Sequence, residues 1–525
     1  MAQTISIPSF IGGLNTSEST TIEDNQLTVA KNVYYDNQGI LSSRKGISNF
    51  GTEIPVVDNQ HSIYFTRLTD GTRILLVGAG TQVYRYNETT SVFDSIDTVL
   101  TDGQRLSFIT YKDIVYWANG VEEMRSYDGT TVTELTLPAG LIPNYLAVDK
   151  DVIYTAGVTS DPSTLFYTDA NPDSIIADGF ANNEPVNQDE GTATGLHMHR
   201  GLPFVGKSVP NRSTGKGLYQ VNTFATAPTV DPVDHGGDVS SNRSMINVEN
   251  DLMFLSTTGY YALSQRRGTT GTYRALSFSN NIQKEMDKVI DKSTVAAVYW
   301  PETKNIYLSV NSGATKNNKL FVYSLTVSVP GQRQFAWTEY ENINANDFAE
   351  YEDSEGVKHL LIANAFGGQV IEIETGFSDN GIAIRSEVQT KTFDFNSAEI
   401  LKTYTNVDVG GLISRQQELS FKITTDGVDS TKSFTGSPYV ISGIEDVPVP
   451  LGIAPLGEDP VGGGAVSEDG ITLFPFMRFR HPYSTGYRMS MNISGNNLQS
   501  AWKLTKAVIS IEPEPQDVQY NDYIS

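Results

Sequence analysis

The chain has 525 residues, with 37 Lys and Arg against 61 Asp and Glu, a formal net charge of −24, and no cysteine. That balance disfavours nonspecific attraction to nucleic acid or to an anionic membrane. The missing thiols exclude a disulfide framework, a thiolate nucleophile and every Cys-ligated metal site.

A chain this long can bury a substantial core and is expected to hold two to four domains. Charged residues make up 19% of it, below the usual ~25%. Tyr (26), Phe (23) and Gly (45) are plentiful, a mixture that favours pleated strands joined by tight turns. The first residues, MAQTISIPSF, show neither the basic nor the apolar region of a secretory signal. The densest apolar run, Ile74 to Gly80, is far short of the ~20 residues of a membrane-spanning helix. A soluble protein made in a reducing cytoplasm is the expectation.

Taken in chain order, Thr21 to Val33 opens with a Thr21/Asp24 pair resembling a capping box and continues with Leu27, Ala30 and Lys31, which predicts a short helix. From residue 73 a repeat sets in. Short apolar strands begin at Arg73, Asp113, Asp151, Gly201, Asp251, Asn305 and Lys358, at intervals of 38 to 54 residues. An aromatic-rich strand follows each: QVYRY at 82, EMRSY at 123, TLFYT at 164, GLYQV at 217, GYYAL at 259, KLFVY at 319 and QVIEI at 369.

A period of this length built from short strands predicts an all-β fold, a β-propeller of six or seven irregular blades. A large sandwich of evenly spaced strands is the alternative. A second helix is predicted over Ser279 to Ser293, with Ile282, Met286, Val289 and Ile290 on one face.

Beyond about residue 395 the pattern changes to alternating runs such as Leu419-SFKIT, Tyr487-RMSMNISG and Leu504-TKAVISIE, which predict an additional C-terminal β-sandwich-like domain. The expected organisation is an N-terminal arm and closing element over 1–55, the propeller over 56–395 and the C-terminal domain over 396–525. A Gly/Pro-rich acidic loop at about 441–470 lies within a stretch, 433–477, that has no basic residue. It reads as a long loop or an arm ordered by a neighbour.

Motifs that offer chemistry are few. Gly201 to Ser208 (GLPFVGKS) matches a phosphate-binding loop with Lys207 and Ser208 in the ligand positions, but Pro210 and two glycines follow where a helix must start. Asp169, Asn171 and Asp173 have the spacing of a calcium loop, yet Ser174 stands where Gly is required and Phe180 where Glu is required. An Asx-rich turn is favoured there. His197 and His199 share a strand face, but only His61, His235, His359 and His481 remain as partners and none has telling spacing. The SEDGIT stretch at Ser467 is an imperfect match to a sialidase Asp-box. No catalytic, cofactor-binding or metal-binding residue is assigned.

The stretch from Phe10 to Gly51 is the most distinctive: a GGLN start, an Asn25-Gln26-Leu27 element, Lys31-Asn32-Val33, and a closing Gly39-ILSSRKG. It resembles the opening of tail hub, or nozzle, proteins of short-tailed bacteriophages. Further similarity lies in Leu165-FYTDANPDSI, Lys319-LFVYSL with Phe335-AWTEY, and Thr390-KTFDFNSAEILKTYTNVDV.

The resemblance implies a propeller with extra β-domains in a structural virion protein, not an enzyme. It further implies a closed, hexameric ring below the head-to-tail adaptor, with fibres, spikes or a needle beyond it. Such a protein is assembled in the host cytoplasm, resides in the virion tail, takes no cofactor and does not insert into a membrane. Genomic DNA would pass through it without specific binding, which an acidic wall favours. The alternative is a propeller that binds or degrades glycans, such as a tail depolymerase. The base-free 433–477 segment is expected to act as a lumen-facing gate or as an arm gripping the next protein. Deleting 446–470 is expected to leave a folded monomer while impairing ring formation or DNA retention; rings and retention both unchanged would refute that role.

Overall fold

The structure is a computed structural model that describes residues 3–55, 59–172, 179–186, 191–209, 217–224, 228–233, 237–265, 273–327, 336–414, 419–426, 428–430, 466–468, 471–479, 484–497 and 501–513. The chain forms two compact units. One comprises Met1–Ile47, Val322–Tyr340 and Glu374–Ser525; the other comprises Ser48–Phe321 and Glu341–Ile373. These divisions differ from the sequence-based ones at 55/56 and 395/396. The reason is pairing: strand Gln3–Ile7 lies antiparallel to Trp502–Pro513, and Gln26–Lys31 lies antiparallel to Ile384–Thr390.

The second unit is a β-propeller. Five of its four-stranded blades are consecutive in sequence, running from Gln60–Arg67 through to Tyr273–Ser277. In each, the apolar strand of the repeat is the second and the aromatic-rich strand the third. Arg73–Ala79, Ile114–Ala118, Val152–Ala156, Leu202–Lys207 and Asp251–Ser256 are therefore interior strands, flanked on both sides. This explains their unbroken hydrophobicity, as in Val152–Ala156, which is buried throughout.

The repeat at 305 departs from the series. Ala296–Trp300, Asn305–Val310, Lys319–Ser324 and Trp337–Glu341 are adjacent in that order, but as part of a ten-stranded sheet and not as a sheet of four. The sixth blade combines Ala345–Glu352, Lys358–Asn364 and Val370–Ile373 with a strand from far upstream, Ile47–Phe50. Its fourth strand therefore precedes all the others in the chain. Gln369 Nε2 donates to the Phe50 carbonyl at 3.0 Å, and Ile54 N donates to Gly368 O at 3.0 Å. The upstream strand joins the last blade to the start of the first.

Inner hairpins turn tightly. Lys112 and Asp113 have φ of 47° and 61°, Lys150 and Asp151 have the same values, and Arg200 and Gly201 have 51° and 75°. Two consecutive positive φ values define the turn whose twist matches that of paired strands. The polar residue ahead of these apolar strands is thus a turn residue. Between blades the core is apolar: Ile74, Leu76, Val83, Val115, Trp117 and Tyr127 form one such layer. Leu361, Ala363 and Val370 meet Ile63, Leu75 and Val77 in the layer that closes the ring.

In the first unit, an eight-stranded sheet contains Lys402–Ser414 beside Trp502–Pro513, and a second sheet contains Ile384–Thr390, Met489–Asn497 and Leu419–Thr425 in adjacent positions. Leu419–Thr425 alternates between buried and half-buried residues, as its sequence predicts. Trp502, fully buried, donates its ring N–H to Ser386 Oγ at 2.9 Å and so ties the two sheets together.

The predicted helix over Thr21 to Val33 does not form. Gln26–Lys31 and Val33–Tyr35 are strands, with Leu27 and Ala30 fully buried by sheet partners, because tertiary pairing outweighs local propensity. The second predicted helix shrinks to the 3₁₀ turn Asn280–Ile282 and the single α-turn Gln283–Met286, with Ile282 and Met286 buried. Of the acidic loop expected at about 441–470, residues 441–465, 469 and 470 lie outside the described residues, and Val466–Glu468 is a strand paired with Ile471–Phe479.

The distinctive N-terminal stretch belongs to this unit up to Ile47, and its last residues, Ser48 to Gly51, belong to the propeller. Gly13 has φ +65°, and a Cβ there would lie 2.7 Å from the backbone of Ala336 and Trp337. Arg44, with its side chain 1% exposed, forms a two-pronged pair with Asp379 at 2.8 and 2.6 Å and donates Nε–H to Asn32 at 2.9 Å. Substituting Gly13→Ala adds a backbone overlap to a left-handed conformation and is expected to lower stability by about 2–4 kcal/mol. An unchanged urea midpoint would contradict that placement.

Candidate functional site

The inner strands of the propeller begin around a common axis, and the residues just before them line a cavity of about 360 Å³. Its walls come from Gln104 to Ser107, Asn144 and Tyr145, Thr194, Ser240 to Arg243, and Ser293 with Thr294. Five successive inner positions therefore contribute. Most of the lining residues are polar, although about half of the wall surface is apolar, because short polar side chains here bind adjacent strands together through their backbone groups. Leu106 N donates to Ser62 Oγ at 2.8 Å, Leu146 N to Ser107 Oγ at 2.9 Å, and Leu196 N to Asn242 Oδ1 at 2.8 Å. Ser241 Oγ donates to Val295 O at 2.6 Å, and Asn346 Nδ2 to Gln60 O at 2.8 Å.

Two guanidinium groups stand among these clamps. Arg243 is paired with Asp347, which also accepts from Ile63 N at 3.0 Å, and its Nη2 donates to Ser62 Oγ at 2.9 Å and Leu106 O at 2.7 Å. Arg105 donates through Nη2 to Thr294 O at 2.7 Å, while its Nη1 is buried without a hydrogen-bond partner. Burial, and then the neighbouring Arg243 charge, push the Arg105 pKa down to about 9. His61 beside them is held neutral, its pKa lowered to about 3 mainly by burial and secondarily by Arg243.

The motifs singled out in the sequence lie elsewhere. Gly201 is a hairpin turn residue and Leu202–Lys207 a blade strand. Lys207 is fully buried and donates to Val186 O at 2.9 Å, and Ser208 Oγ accepts from Thr192 N at 3.0 Å. Asp169 accepts from Asn182 Nδ2 at 2.7 Å, Asn171 is a left-handed turn residue, and Phe180 is buried in a core layer. Asp173 and Ser174 lie outside the described residues.

His199 bonds Asn247 at 2.7 Å, and His235 and His481 lie outside the described residues. Among the described residues no group of three or more His, Asp or Glu side chains is arranged to hold a metal ion. Ser467 pairs with Thr472 across a hairpin, with Asp469 and Gly470 outside the described residues.

Sequence reasoning missed Arg105, Arg243 and Asp347. The available signal was a polar group ahead of each inner strand, such as Gln104-Arg105-Leu106-Ser107 and Asn242-Arg243-Ser244, which an apolar repeat does not reveal.

No protein-family description and no curated protein matches this sequence. Among solved structures, the chain is similar to BBS1N, solved in complex with ARL6DN, at TM-score 0.41 and 11% identity, over 63% of this chain and 97% of that one. It is also similar to YCF48 from Cyanidioschyzon merolae, at TM-score 0.41 and 8% identity, over 62% and 98%. The likeness is one of fold. It carries no activity, ligand or partner across to this chain.

A titratable cluster lies on the blade that closes the ring. His359 Nδ1 is 2.7 Å from Glu372 and Nε2 is 3.2 Å from Asp353; Glu372 also accepts from Ser48 Oγ at 3.3 Å in the upstream strand. Partial burial works against the imidazolium, but hydrogen bonds and charge from the two carboxylates prevail and raise its pKa above the usual value. A folded pKa above the unfolded one means stability that is fully present below the unfolded pKa of about 6.5 and is lost as pH rises through the folded one. The urea midpoint is therefore expected to fall across that window, and the His359→Gln variant to lack that component of the pH dependence. Equal slopes for the two proteins would refute the assignment.

Proposed function

We propose that the protein is a structural, non-enzymatic component of a phage tail: a hub or nozzle that closes into a ring of identical subunits below the head-to-tail adaptor. Fibres, spikes or a needle attach beyond it, and genomic DNA is channelled through during ejection. The observation that carries this reading is the N-terminal stretch. The residues by which the chain resembles that family include Gly13, at a close backbone approach in the first unit, and Asn32 and Arg44, in its buried hydrogen-bond and ion-pair network. The net charge of −24 per subunit supports passage over capture, since an acidic wall repels phosphate and has no bound counterions to release.

On this reading the DNA path is a lumen between subunits. The propeller axis holds Arg105 and Arg243, and its cavity of about 360 Å³ is far too small for a duplex. The protein would assemble in the host cytoplasm and reside in the virion. Closed rings of this kind follow from heterologous contacts whose rotation returns on itself.

A second reading, a propeller that binds or degrades glycans, is favoured by one observation, an axial cavity whose lining residues are mostly polar and include Arg105 and Arg243. Negative-stain microscopy of the purified protein, alone and with a tail adaptor, separates the two. Closed rings of uniform stoichiometry are expected. A protein that stays monomeric under both conditions and releases sugars from capsular polysaccharide would overturn the hub assignment.

A further inference from the structure

We infer that Asn380 is a modification site: its side-chain amide is lost in a spontaneous reaction with the backbone nitrogen of Gly381 and then with water, which leaves aspartate or isoaspartate in the chain. This goes beyond the hub reading and does not depend on it. The argument begins with a turn. Asn380 and Gly381 have φ of 50° and 83°, two left-handed residues in succession, a conformation that asparagine and glycine adopt at least cost. Asp379 and Ile382 on either side exchange both backbone hydrogen bonds, at 2.8 and 2.9 Å. The tight turn thus favours a dipeptide whose second residue has no side chain to shield its nitrogen from the amide carbon before it.

The surroundings separate this pair from the other Asn-Gly pair in the chain, Asn119-Gly120. Asn119 is buried; its Oδ1 accepts from Val121 N at 3.0 Å and from Glu122 N at 3.1 Å, and its Nδ2 donates to the Glu122 carboxylate. Gly120 N donates to Pro143 O at 2.8 Å, and a Cβ on Gly120 would lie 2.9 Å from Asn144 Cγ. Both the amide and the nitrogen that would attack it are tied down. Asn380 and Gly381, by contrast, are exposed, as is Ile382 beside them at 71%. A Cβ on Gly381 would meet no atom within 4 Å, and no described residue bonds the Asn380 amide. Gly381 N donates to Ser378 Oγ at a long 3.3 Å. Opening such a surface turn costs less than freeing Asn119. When it opens, Gly381 N gives its proton to solvent base and attacks Asn380 Cγ; the N–Cγ bond forms, the Cγ–Nδ2 bond breaks, and the leaving nitrogen departs as ammonia with a proton from water. Water then opens the resulting ring at either carbonyl. Either product places a new carboxylate next to Asp379, the partner of the buried Arg44, and isoaspartate also lengthens the backbone of the turn.

Peptide mapping by mass spectrometry on the full-length protein, aged in mildly alkaline buffer, tests this. Replacement of amide by carboxyl is expected to build up at Asn380 at least about ten-fold faster than at Asn119, a ratio set by the cost of local opening, with isoaspartate among the products. In urea, where both sites are unfolded, the two rates are expected to become similar, because each asparagine precedes a glycine. Asn380→Gln, whose longer side chain cannot close the same ring, is expected to keep its amide over the same period. The site is refuted if Asn380 stays intact in the folded protein while the unfolded chain reacts, or if Asn119 reacts as fast in the folded protein. A ratio that persists in urea would assign the difference to neighbouring sequence and overturn the structural argument. Aspartate without isoaspartate would replace the ring with direct hydrolysis. The comparison of the two sites in the parent protein decides the matter even if the variant does not fold.

Discussion

Closure of the blade ring is the constraint on which the propeller depends. Blades stacked side by side leave an apolar face at each end of the series, and only a ring removes both. Here the ends are joined by the strand Ile47–Phe50, which completes the blade built from Ala345–Glu352, Lys358–Asn364 and Val370–Ile373. Phe50 seals the joint: its ring lies 4.8 Å from that of Tyr86 and 5.3 Å from that of Tyr351. Residues some 300 positions apart are thereby held in one sheet without a disulfide. The long loop closed by this pairing makes it a late and entropically demanding contact.

The ring divides its interactions by radius. Between blades the contacts are apolar layers, such as Ile74, Leu76, Val115 and Trp117, which supply the area-dependent stabilisation of burial. At the axis, where strands begin and backbone N–H groups lack sheet partners, serine and asparagine side chains take over, with Ser62, Ser107 and Asn242 each accepting from a neighbouring blade. Buried backbone donors must be satisfied somewhere. The same demand makes the axis polar, and Arg105 and Arg243 find a place there that an apolar core would refuse them. The axial cavity is therefore a by-product of how the blades are bound together.

Much of the fold was legible in the chain because interior strands cannot hide. Arg73–Ala79 or Asp251–Ser256 must be apolar on both faces, so their recurrence betrays the blade period. The outer strands were not legible. Asn182–Pro185 and Thr229–Pro232 end in proline and are largely polar, as edge strands can be. The helix expected over Thr21 to Val33 failed for a related reason: Gln26–Lys31 pairs with Ile384–Thr390, a partner more than 350 residues away that no local window contains. Gly201 to Ser208 shows the converse error. Its letters matched a phosphate loop, but the glycine serves a hairpin turn and Lys207 serves the Val186 carbonyl.

The sequence by itself determined the all-β class, the repeat, the tight turns and the acidic, cysteine-free character of the chain, because composition and strand periodicity are local properties. Tertiary structure alone decided which strand closes the ring, that the 305 repeat lies within a larger sheet, and where Arg105, Arg243 and Asp347 meet. Those outcomes depend on pairings between distant segments and on the orientation of side chains toward a shared axis. Neither leaves a periodic trace in the order of residues.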